Sequence, residues 1–169
     1  MTATYEIVWM RRCHLPQVLE IEALAFDDPW TEADFIKALQ QRYCIGMVAK
    51  AGEQVVGFMV YELGKASIRI LNFAAAIERH GVGRAMVEEL KKKLSIHWRR
   101  RLTLDIRESN LNGQKFWQAM DFQATTILHR FFSNGEDAYH MVFSLKPAKS
   151  IIDTPPSAAV GCTADMDTD

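Results

Sequence analysis

The chain has 169 residues, 49% of them hydrophobic and 24% charged, which fits one domain with a full apolar core. Its formal net charge of -1 argues against a nucleic-acid-binding protein. No apolar run approaches the length of a membrane span, and the N-terminus lacks the apolar core of a signal peptide. The odd, widely spaced Cys13, Cys44 and Cys162 suggest reduced thiols and no metal site, so we expect a cytoplasmic protein.

The predicted elements alternate between strand and helix patterns along the chain. A strand at Tyr5–Met10 precedes a helix at His14–Phe26, and Thr31 caps a second helix that extends to about Gln41. The remaining elements are strands at Cys44–Lys50, Gln54–Leu63 and Ser67–Ala75, a helix from Gly81, a strand at Arg101–Arg107, a helix at Leu111–Met120, and strands at Phe122–Phe132 and Asp137–Leu145. The order β-α-α-β-β-β-α-β-α-β-β predicts an α/β protein whose mixed sheet carries helices on both faces.

The C-terminal segment differs in composition from the rest of the chain. Residues 148–169 are rich in Pro, Ala, Thr and Asp and offer little to bury. From Ile151 onward there are four aspartates and no Lys or Arg, which leaves the first 150 residues with a charge of +3. We therefore expect one domain at residues 1–147 and a disordered acidic tail at 148–169. A mildly basic domain suits an anionic ligand, and an ordinary excess of solvated lysines gives the same charge.

A glycine turn joins a buried strand to an amphipathic helix within Ile70–Ala85. The turn Gly81-Val82-Gly83 opens directly into the helix, whose first amides lack intrahelical partners and carry the positive end of the helix dipole. The pattern favours a bound phosphate, with Arg79 and Arg84 beside it, or an ordinary tight turn. A dinucleotide fingerprint fits poorly because Met86 holds its third glycine position, and no Gly-Lys-Ser/Thr of a P-loop follows.

These residues resemble motif A of the GNAT acetyltransferases, whose pattern is Gln/Arg-x-x-Gly-x-Gly/Ala. Three segments are similar to the RimI branch, the ribosomal-protein N-terminal alanine acetyltransferases: Glu22–Phe35, Leu71–Gly83 and Asp105–Phe122. Ile127–Leu145 resembles the last hairpin of that family, and the likeness extends over residues 5–146. The resemblance implies the GNAT fold, acetyl-CoA as co-substrate, and transfer of its acetyl group to an amine.

The resemblance also implies which residues bind the cofactor. Backbone groups of three strand residues would pair with the pantetheine arm, residues of the glycine turn would surround the pyrophosphate, and one asparagine would contact the cofactor where the fifth strand separates from the fourth. The strand residues are Phe73, Ala74 and Ala75. The residues of the glycine turn are Arg79, His80, Gly81, Val82, Gly83 and Arg84, and the asparagine is Asn110. Asn110 is equally a good helix cap, and His80 equally a solvated loop residue.

The chain departs from the family pattern in its cofactor turn and in its chemistry. Glu78 stands where the motif has Gln or Arg, and the stretch before Gly81 is about two residues shorter than in the RimI branch. Asp105 holds the place of the glutamate base of that branch, and Trp117 the place of its tyrosine acid. Asp105 is either a base, which acts directly or, as its short stem favours, through water, or a partner of Arg107 in a surface salt bridge.

Trp117 is either part of the core or a substituted acid, since an indole N–H cannot serve as an acid near neutrality. Tyr139 or Tyr61 could replace the missing phenol, and a thiolate with a reference pKa of about 8.5 leaves with little help. Phe131-Phe132 occupies the place where relatives often carry peptide-gripping tyrosines.

The expected acyl acceptor is a protein N-terminal amine, for example that of a ribosomal protein. An α-amine with a pKa near 7.7–8.0 is roughly a tenth neutral at pH 7, whereas a lysine is mostly protonated. Two alternatives stay open. One is a small-molecule amine, which an acidic acceptor pocket would favour, and the other is a catalytically silent module that only binds acyl-CoA.

Overall fold

Seven strands and four helices make up the described residues of this computed structural model, which are 4–76, 80–96 and 98–146. The strands are β1 (Glu6–Trp9), β2 (Cys44–Ala51), β3 (Gln54–Leu63), β4 (Ser67–Ala75), β5 (Arg101–Arg107), β6 (Gln123–Leu128) and β7 (Ala138–Ser144). The helices are α1 (Leu15–Ala25), α2 (Glu32–Leu39), α3 (Val82–Ile96) and α4 (Leu111–Ala119), and a 3-10 turn at Arg12–His14 precedes α1. The predicted order of elements is confirmed.

The strands form one mixed sheet in the spatial order β1-β2-β3-β4-β5-β7-β6. Every neighbouring pair is antiparallel except β4 and β5, which are parallel. That parallel pairing covers Ser67–Arg69 against Arg101–Thr103, and the two strands separate beyond it. On its other side β4 stays paired with β3, through an irregularity between Val60 and Tyr61. The separation opens the sheet at its centre and positions the candidate site.

Helices cover both faces of the sheet, as predicted. On one face α1 and α2 bury an apolar cluster that includes Val18, Phe35 and Phe58. On the other face α3 and α4 bury a larger cluster around Met86, Leu90 and Trp117. None of the helices among the described residues is long and apolar enough to cross a membrane. The predicted tail at 148–169 lies outside the described residues.

The helix boundaries follow from local signals in the sequence. The Thr31 side chain accepts a hydrogen bond from the Asp34 amide, and Asp34 accepts one from the Thr31 amide, which is a complete capping box at the start of α2. The buried residues of α1 are Leu15, Val18, Ile21 and Glu22, whereas Ala23 is exposed. The predicted strand Phe122–Phe132 is too long at its C-terminal end. Phe131 and Phe132 lie in the following loop, since β6 ends at Leu128.

Candidate active site

A cleft of about 1210 Å³ occupies the place where β4 and β5 separate. Its walls come from both strands, the loop between α1 and α2, the start of α4, and the loop between β6 and β7. Of the residues predicted for the site, the cleft brings together Phe73, Asp105, Asn110 and Trp117. These four residues, which were predicted from the sequence, come from β4, β5 and α4 with its cap, and all of them line the same cavity.

Asp105 projects into this cleft from β5 and is held on both sides. Its Oδ2 accepts a hydrogen bond from Nη2 of Arg69 at 2.7 Å, and its Oδ1 lies 2.6 Å from Nδ1 of His140. Only 7% of the Asp105 side chain is exposed. The predicted alternative, a salt bridge to Arg107, is wrong, because Arg107 pairs with Glu136 at 3.0 Å.

Glu136 ties the loop between β6 and β7 to the end of β5. Its carboxylate accepts hydrogen bonds from the amide and the hydroxyl of Ser109 and from the Arg107 guanidinium. These hydrogen bonds, above all the one from the Ser109 side chain, lower the pKa of Glu136 to about 2. The Arg107 guanidinium also lies 3.9 Å from the ring centre of Phe132, which lines the cleft. This wall of the cleft is thus fixed by charged contacts.

Trp117 lies in α4 and is 5% exposed at the base of the cleft. Its indole packs at 5.2 Å from the ring of Phe73, 5.0 Å from Phe116 and 4.9 Å from Phe122. The interpretation of Trp117 as a core residue is therefore confirmed, and its side chain also contributes surface to the cleft.

The two tyrosines considered as replacement acids lie elsewhere. Tyr61 is 1% exposed in the cluster under α3, and burial raises its pKa to about 12. Its hydroxyl has no hydrogen-bond partner among the described residues. Tyr139 packs against the same cluster, opposite Ile106 in the strand register. Neither tyrosine lines the cleft, so the structure gives no support to either as an acid.

The head of α3 lies beside the cleft rather than in its lining. Gly81 has a φ of 82°, a left-handed conformation that favours glycine, and Val82 is the first residue of the helix. A Cβ placed on Gly83 would lie 3.1 Å from both the Phe73 and the Phe116 rings. Phe73 therefore joins the glycine turn to the cleft, while Arg84 is exposed on the first turn of the helix.

The strand residues predicted to contact the pantetheine arm come after the short segment of β4 that pairs with β5. Ala74 and Ala75 pair with β3, and they lie beyond the last β5 partner of the strand, so their other edge has no strand beside it. The Ala74 side chain is buried toward α1. This free strand edge leaves backbone groups available to an extended ligand.

The other predicted cofactor residues lie in two loops, one that leads from β4 to α3 and one that leads from β5 to α4. Asn110 caps α4, where its Oδ1 accepts a hydrogen bond from the Gly113 amide at 2.9 Å, so its role as a helix cap is confirmed. The His80 carbonyl accepts a hydrogen bond from the Tyr5 hydroxyl. Glu78 and Arg79 lie outside the described residues.

Glu22 is a site residue that the sequence analysis missed. This carboxylate is 1% exposed, lines the cleft, and accepts hydrogen bonds from the Trp30 amide at 2.7 Å and the Asn72 side chain at 3.0 Å. Burial raises the pKa of Glu22. Glu22 follows Val18 by four residues, so the two side chains lie on the same face of α1, which is apolar. This spacing was the available signal that Glu22 is buried. Arg69 and His140 were missed as well, and only the sheet pairing reveals them.

Two wider properties of the site concern its charge. Among the described residues, no group of three or more His, Cys, Asp or Glu side chains is arranged to hold a metal ion. The cleft lining is acidic, since it contains seven carboxylates against Lys37 and Arg107. The exposed carboxylates of this lining include Asp27, Asp28 and Glu62.

The sheet opens between two parallel strands beside a glycine turn and a helix N-terminus, and the unpaired strand edge and free helix amides suit an extended, phosphate-bearing ligand. Residues 15–122 match the Acetyltransferase (GNAT) family, so the chain belongs to that family. It is an N-acetyltransferase that uses acetyl-CoA.

Individual relatives agree with this assignment. The chain is 25% identical to the ribosomal protein bS18-alanine N-acetyltransferase of Salmonella typhimurium over 136 residues, 78% of this chain and 91% of the relative. It is 27% identical to the N-alpha-acetyltransferase RimI of Mycobacterium tuberculosis over 153 residues, 83% of this chain and 95% of the relative. Its fold is similar to that of Arabidopsis thaliana NAA60 in complex with acetyl-CoA, with a TM-score of 0.73, 17% identity, and coverage of 84% of this chain and 100% of the other.

Proposed function

We propose that the enzyme transfers the acetyl group of acetyl-CoA to the α-amine of a protein N-terminus. The observation that carries this proposal is the position of Asp105, a carboxylate at the separation of β4 and β5, in the cleft where the acyl group would lie. The relatives from Salmonella typhimurium and Mycobacterium tuberculosis support the choice of acceptor, since one is named for an alanine of ribosomal protein bS18 and the other is named an N-alpha-acetyltransferase. A ribosomal protein is therefore one candidate substrate.

Acetyl-CoA would bind along the free edge of β4 and against the head of α3. Backbone groups of Phe73, Ala74 and Ala75 would hold the pantetheine arm, which needs unpaired strand amides and carbonyls. The pyrophosphate would bind at the first amides of α3, where the helix dipole is positive. The residues proposed for that contact are His80, Gly81, Val82, Gly83 and Arg84, together with Arg79, which lies outside the described residues. Asn110, at the start of α4, would contact the cofactor where β5 separates from β4.

Asp105 would act as the base for the incoming amine. The ammonium form must lose a proton before it can attack the thioester, and a carboxylate next to the cleft can take that proton through one water. Each Asp105 oxygen has a second lone pair, so its contacts with Arg69 and His140 leave acceptor capacity. The amine nitrogen then forms the amide bond as the carbon–sulfur bond breaks.

The leaving thiolate would need no strong acid. A thiol with a reference pKa of about 8.5 departs readily, and Trp117 offers only hydrogen-bond donation and apolar surface. Its packing against Phe73 and Phe116 would instead fix the floor on which the thioester rests. The free thiols of Cys13 and Cys44 suit a reducing compartment, and we propose that the reaction takes place in the cytoplasm.

A small-molecule amine is the second candidate acceptor, because the acidic lining would attract a polyamine. Asp27, Asp28 and Glu62 supply this charge at the cleft. The two candidate acceptors differ in the space that they need in the cleft. A peptide needs room for its chain as well as for its amine, and that room would lie beside Phe132 at the cleft wall.

The test measures release of free CoA thiol from acetyl-CoA with three acceptors. They are a peptide with a free N-terminal alanine and one lysine, the same peptide with a blocked N-terminus, and spermidine. We expect turnover of the free peptide to exceed that of the blocked peptide and spermidine by at least about a hundredfold in kcat/KM. Preferential turnover of spermidine would establish the second candidate. Binding of acetyl-CoA without turnover of any amine would contradict the proposed function.

A further inference from the structure

We infer that Arg69 is a positioning residue, which holds the Asp105 carboxylate in the orientation from which it serves the acceptor amine. The inference rests on the proposed function, in which Asp105 takes a proton from that amine. Arg69 belongs to β4 and is not among the residues that line the cleft, so it would act through Asp105 and not on the substrate.

The sheet places Arg69 at the point where β4 and β5 separate. Arg69 pairs with Thr103 in the parallel register, and this is the last pair between the two strands. Asp105 follows Thr103 by two residues, so its side chain lies on the same face of the sheet as that of Arg69. The guanidinium therefore reaches across the beginning of the opening, where the pairing of the two backbones has ended.

The Asp105 carboxylate is held at both of its oxygens. Nη2 of Arg69 donates a hydrogen bond to Oδ2 at 2.7 Å, and Nδ1 of His140 lies 2.6 Å from Oδ1. An aspartate side chain otherwise rotates among several rotamers. With a partner from β4 at one oxygen and a partner from β7 at the other, a rotation of the carboxylate would break at least one of these contacts.

Arg69 has two carboxylates within its row of the sheet. Glu62 on β3 is directly opposite Arg69 in the antiparallel register, yet among the described residues the ion pair of Arg69 is with Asp105. Glu62 is exposed, whereas only 7% of the Asp105 side chain is exposed. Because solvent screens the charge of an exposed carboxylate more strongly, the attraction to Asp105 is the greater one. The burial of Asp105 thus directs the guanidinium toward the cleft.

The orientation of the carboxylate affects the rate because its stem is short. Asp105 reaches the amine through a water molecule in the proposed reaction, and that water must lie between two fixed groups. A displacement of 1 Å at a reacting group can lower a rate on the order of 10²-fold. Since His140 still holds the other oxygen when Arg69 is removed, we expect a smaller loss, of about tenfold.

The test is a double-mutant cycle in the full-length enzyme, with acetyl-CoA and the peptide that has a free N-terminal alanine. Arg69→Met removes the charge and the donors, Arg69→Lys retains the charge, and Arg69→Met is also combined with Asp105→Asn. Because 48% of the Arg69 side chain is exposed, these substitutions should leave the fold intact. The kcat and both KM values are measured, and the slow Asp105→Asn reactions are followed at high enzyme concentration.

The matched control is Arg101→Met. Arg101 is an exposed arginine on the same face of β5 as Asp105, and it forms no ion pair within the described part of the chain. This variant should keep the wild-type kcat. A loss of activity that is specific to Arg69 then does not come from the removal of any arginine beside the sheet.

We expect Arg69→Met to lower kcat about tenfold and to change the KM of either substrate less than about twofold. Arg69→Lys should recover part of this loss. In the Asp105→Asn background, Arg69→Met should change kcat by less than about twofold, because a residue that acts through the base has no effect once the base is absent.

Two results would overturn the inference. A wild-type kcat for Arg69→Met would show that Arg69 is dispensable, and the same loss in both backgrounds would show that it acts on the fold and not through Asp105. Arg69→Gln provides the same comparison if Arg69→Met does not fold. An inactive wild-type enzyme, or an Asp105→Asn enzyme with the wild-type kcat, would contradict the proposed function itself, and the inference with it.

Discussion

Glu22 on α1 accepts a hydrogen bond from the Asn72 side chain on β4 at 3.0 Å, although the two residues are 50 positions apart in the sequence. The second carboxylate oxygen of Glu22 accepts one from the Trp30 amide in the loop that leads to α2. One buried carboxylate therefore joins the first helix, the following loop and the strand beside the cleft. This contact joins the α1 wall of the cleft to β4.

Removal of the Glu22 carboxylate should destabilise the protein. In Glu22→Ala the Trp30 amide and the Asn72 side chain lose their acceptor in a buried setting, at a cost of roughly 1–3 kcal/mol for each unsatisfied group. Urea unfolding at pH 7 measures the loss. Glu20→Ala is the matched control, because Glu20 is an exposed residue of the same helix and its removal should change stability by less than about 0.5 kcal/mol. Equal losses for both variants would contradict this role of Glu22.

The same carboxylate should give the protein a pH-dependent stability. Burial raises the pKa of Glu22, so the folded state holds this proton more tightly than the unfolded state. Its contribution is therefore most favourable at low pH and declines as the pH rises through the raised pKa. Between pH 4.5 and 8 the Glu22→Gln variant should lack this decline. Unfolding curves for the variant and the wild type that remain parallel over the whole range would refute the assignment.

The glycine turn should contribute to CoA binding in addition to its contribution to stability. Gly81 and Gly52 both have positive φ values, 82° and 62°, and a Cβ at either position would meet nothing within 4 Å. An alanine at either site should therefore cost a similar ~1–2 kcal/mol of backbone strain. Only Gly81→Ala should also weaken CoA binding, by about tenfold or more, because it changes the head of α3. Calorimetric titration that finds equal CoA affinities for both variants would count against the proposed pyrophosphate site.

The order of elements could be predicted because each depends on local patterns. The alternation in Arg101–Arg107 and the capping residues at Thr31 act within a few positions, and both elements form as predicted. The end of β6 is different. The predicted strand continues to Phe132, past the polar His129 and Arg130, but Glu136 holds the following loop toward Ser109 and away from the ladder. A tertiary contact, which a local pattern does not contain, ends that strand.

The candidate site was predictable in its position and less so in its contacts. The sequence indicated Asp105 and the cofactor turn, because these follow from strand alternation and from family resemblance. The one partner that the strand pattern offered to Asp105, as an alternative to a role as base, was Arg107, two positions away. The actual partners, Arg69 and His140, are 36 and 35 positions away and become neighbours through sheet pairing. Cross-strand contacts of this kind are set by register, which one strand alone does not specify.

Asp105→Asn should greatly reduce turnover while the protein remains folded. The amide cannot take a proton from the amine, so kcat should fall by ~10²–10⁴-fold, the usual contribution of a general base. Acetyl-CoA affinity should change little, because Asp105 is not among the proposed cofactor contacts. The matched control is Asp121→Asn, an exposed residue whose carboxylate lies 3.8 Å from Lys91 outside the cleft. A kcat within a factor of about ten of wild type for Asp105→Asn would exclude this base.

Trp117 should prove to be a packing residue. In Trp117→Phe the indole N–H is lost but most contacts with neighbouring rings remain, so kcat should fall less than about tenfold. Loss of a true general acid would cost ~10²–10⁴-fold. In contrast, Trp117→Ala should destabilise the protein by about 3–5 kcal/mol, because it empties a site bordered by Phe73, Phe116 and Phe122. Steady-state kinetics and urea unfolding separate the two effects.

Glu136 should stabilise the cleft wall at neutral pH and lose this effect in acid. Hydrogen bonds from Ser109 and Arg107 lower the pKa of Glu136 from 4.5 to about 2 in the folded protein. A lowered carboxyl pKa stabilises the folded state fully above the ordinary value, and the effect disappears as pH falls toward the lowered one. Glu136→Gln should therefore be less stable than wild type at pH 7, and the difference should shrink between pH 4.5 and 2. Urea unfolding across this window measures it, with the exposed Glu108→Gln as control; a difference that stays constant below pH 4 would show that ionised Glu136 does not hold the loop.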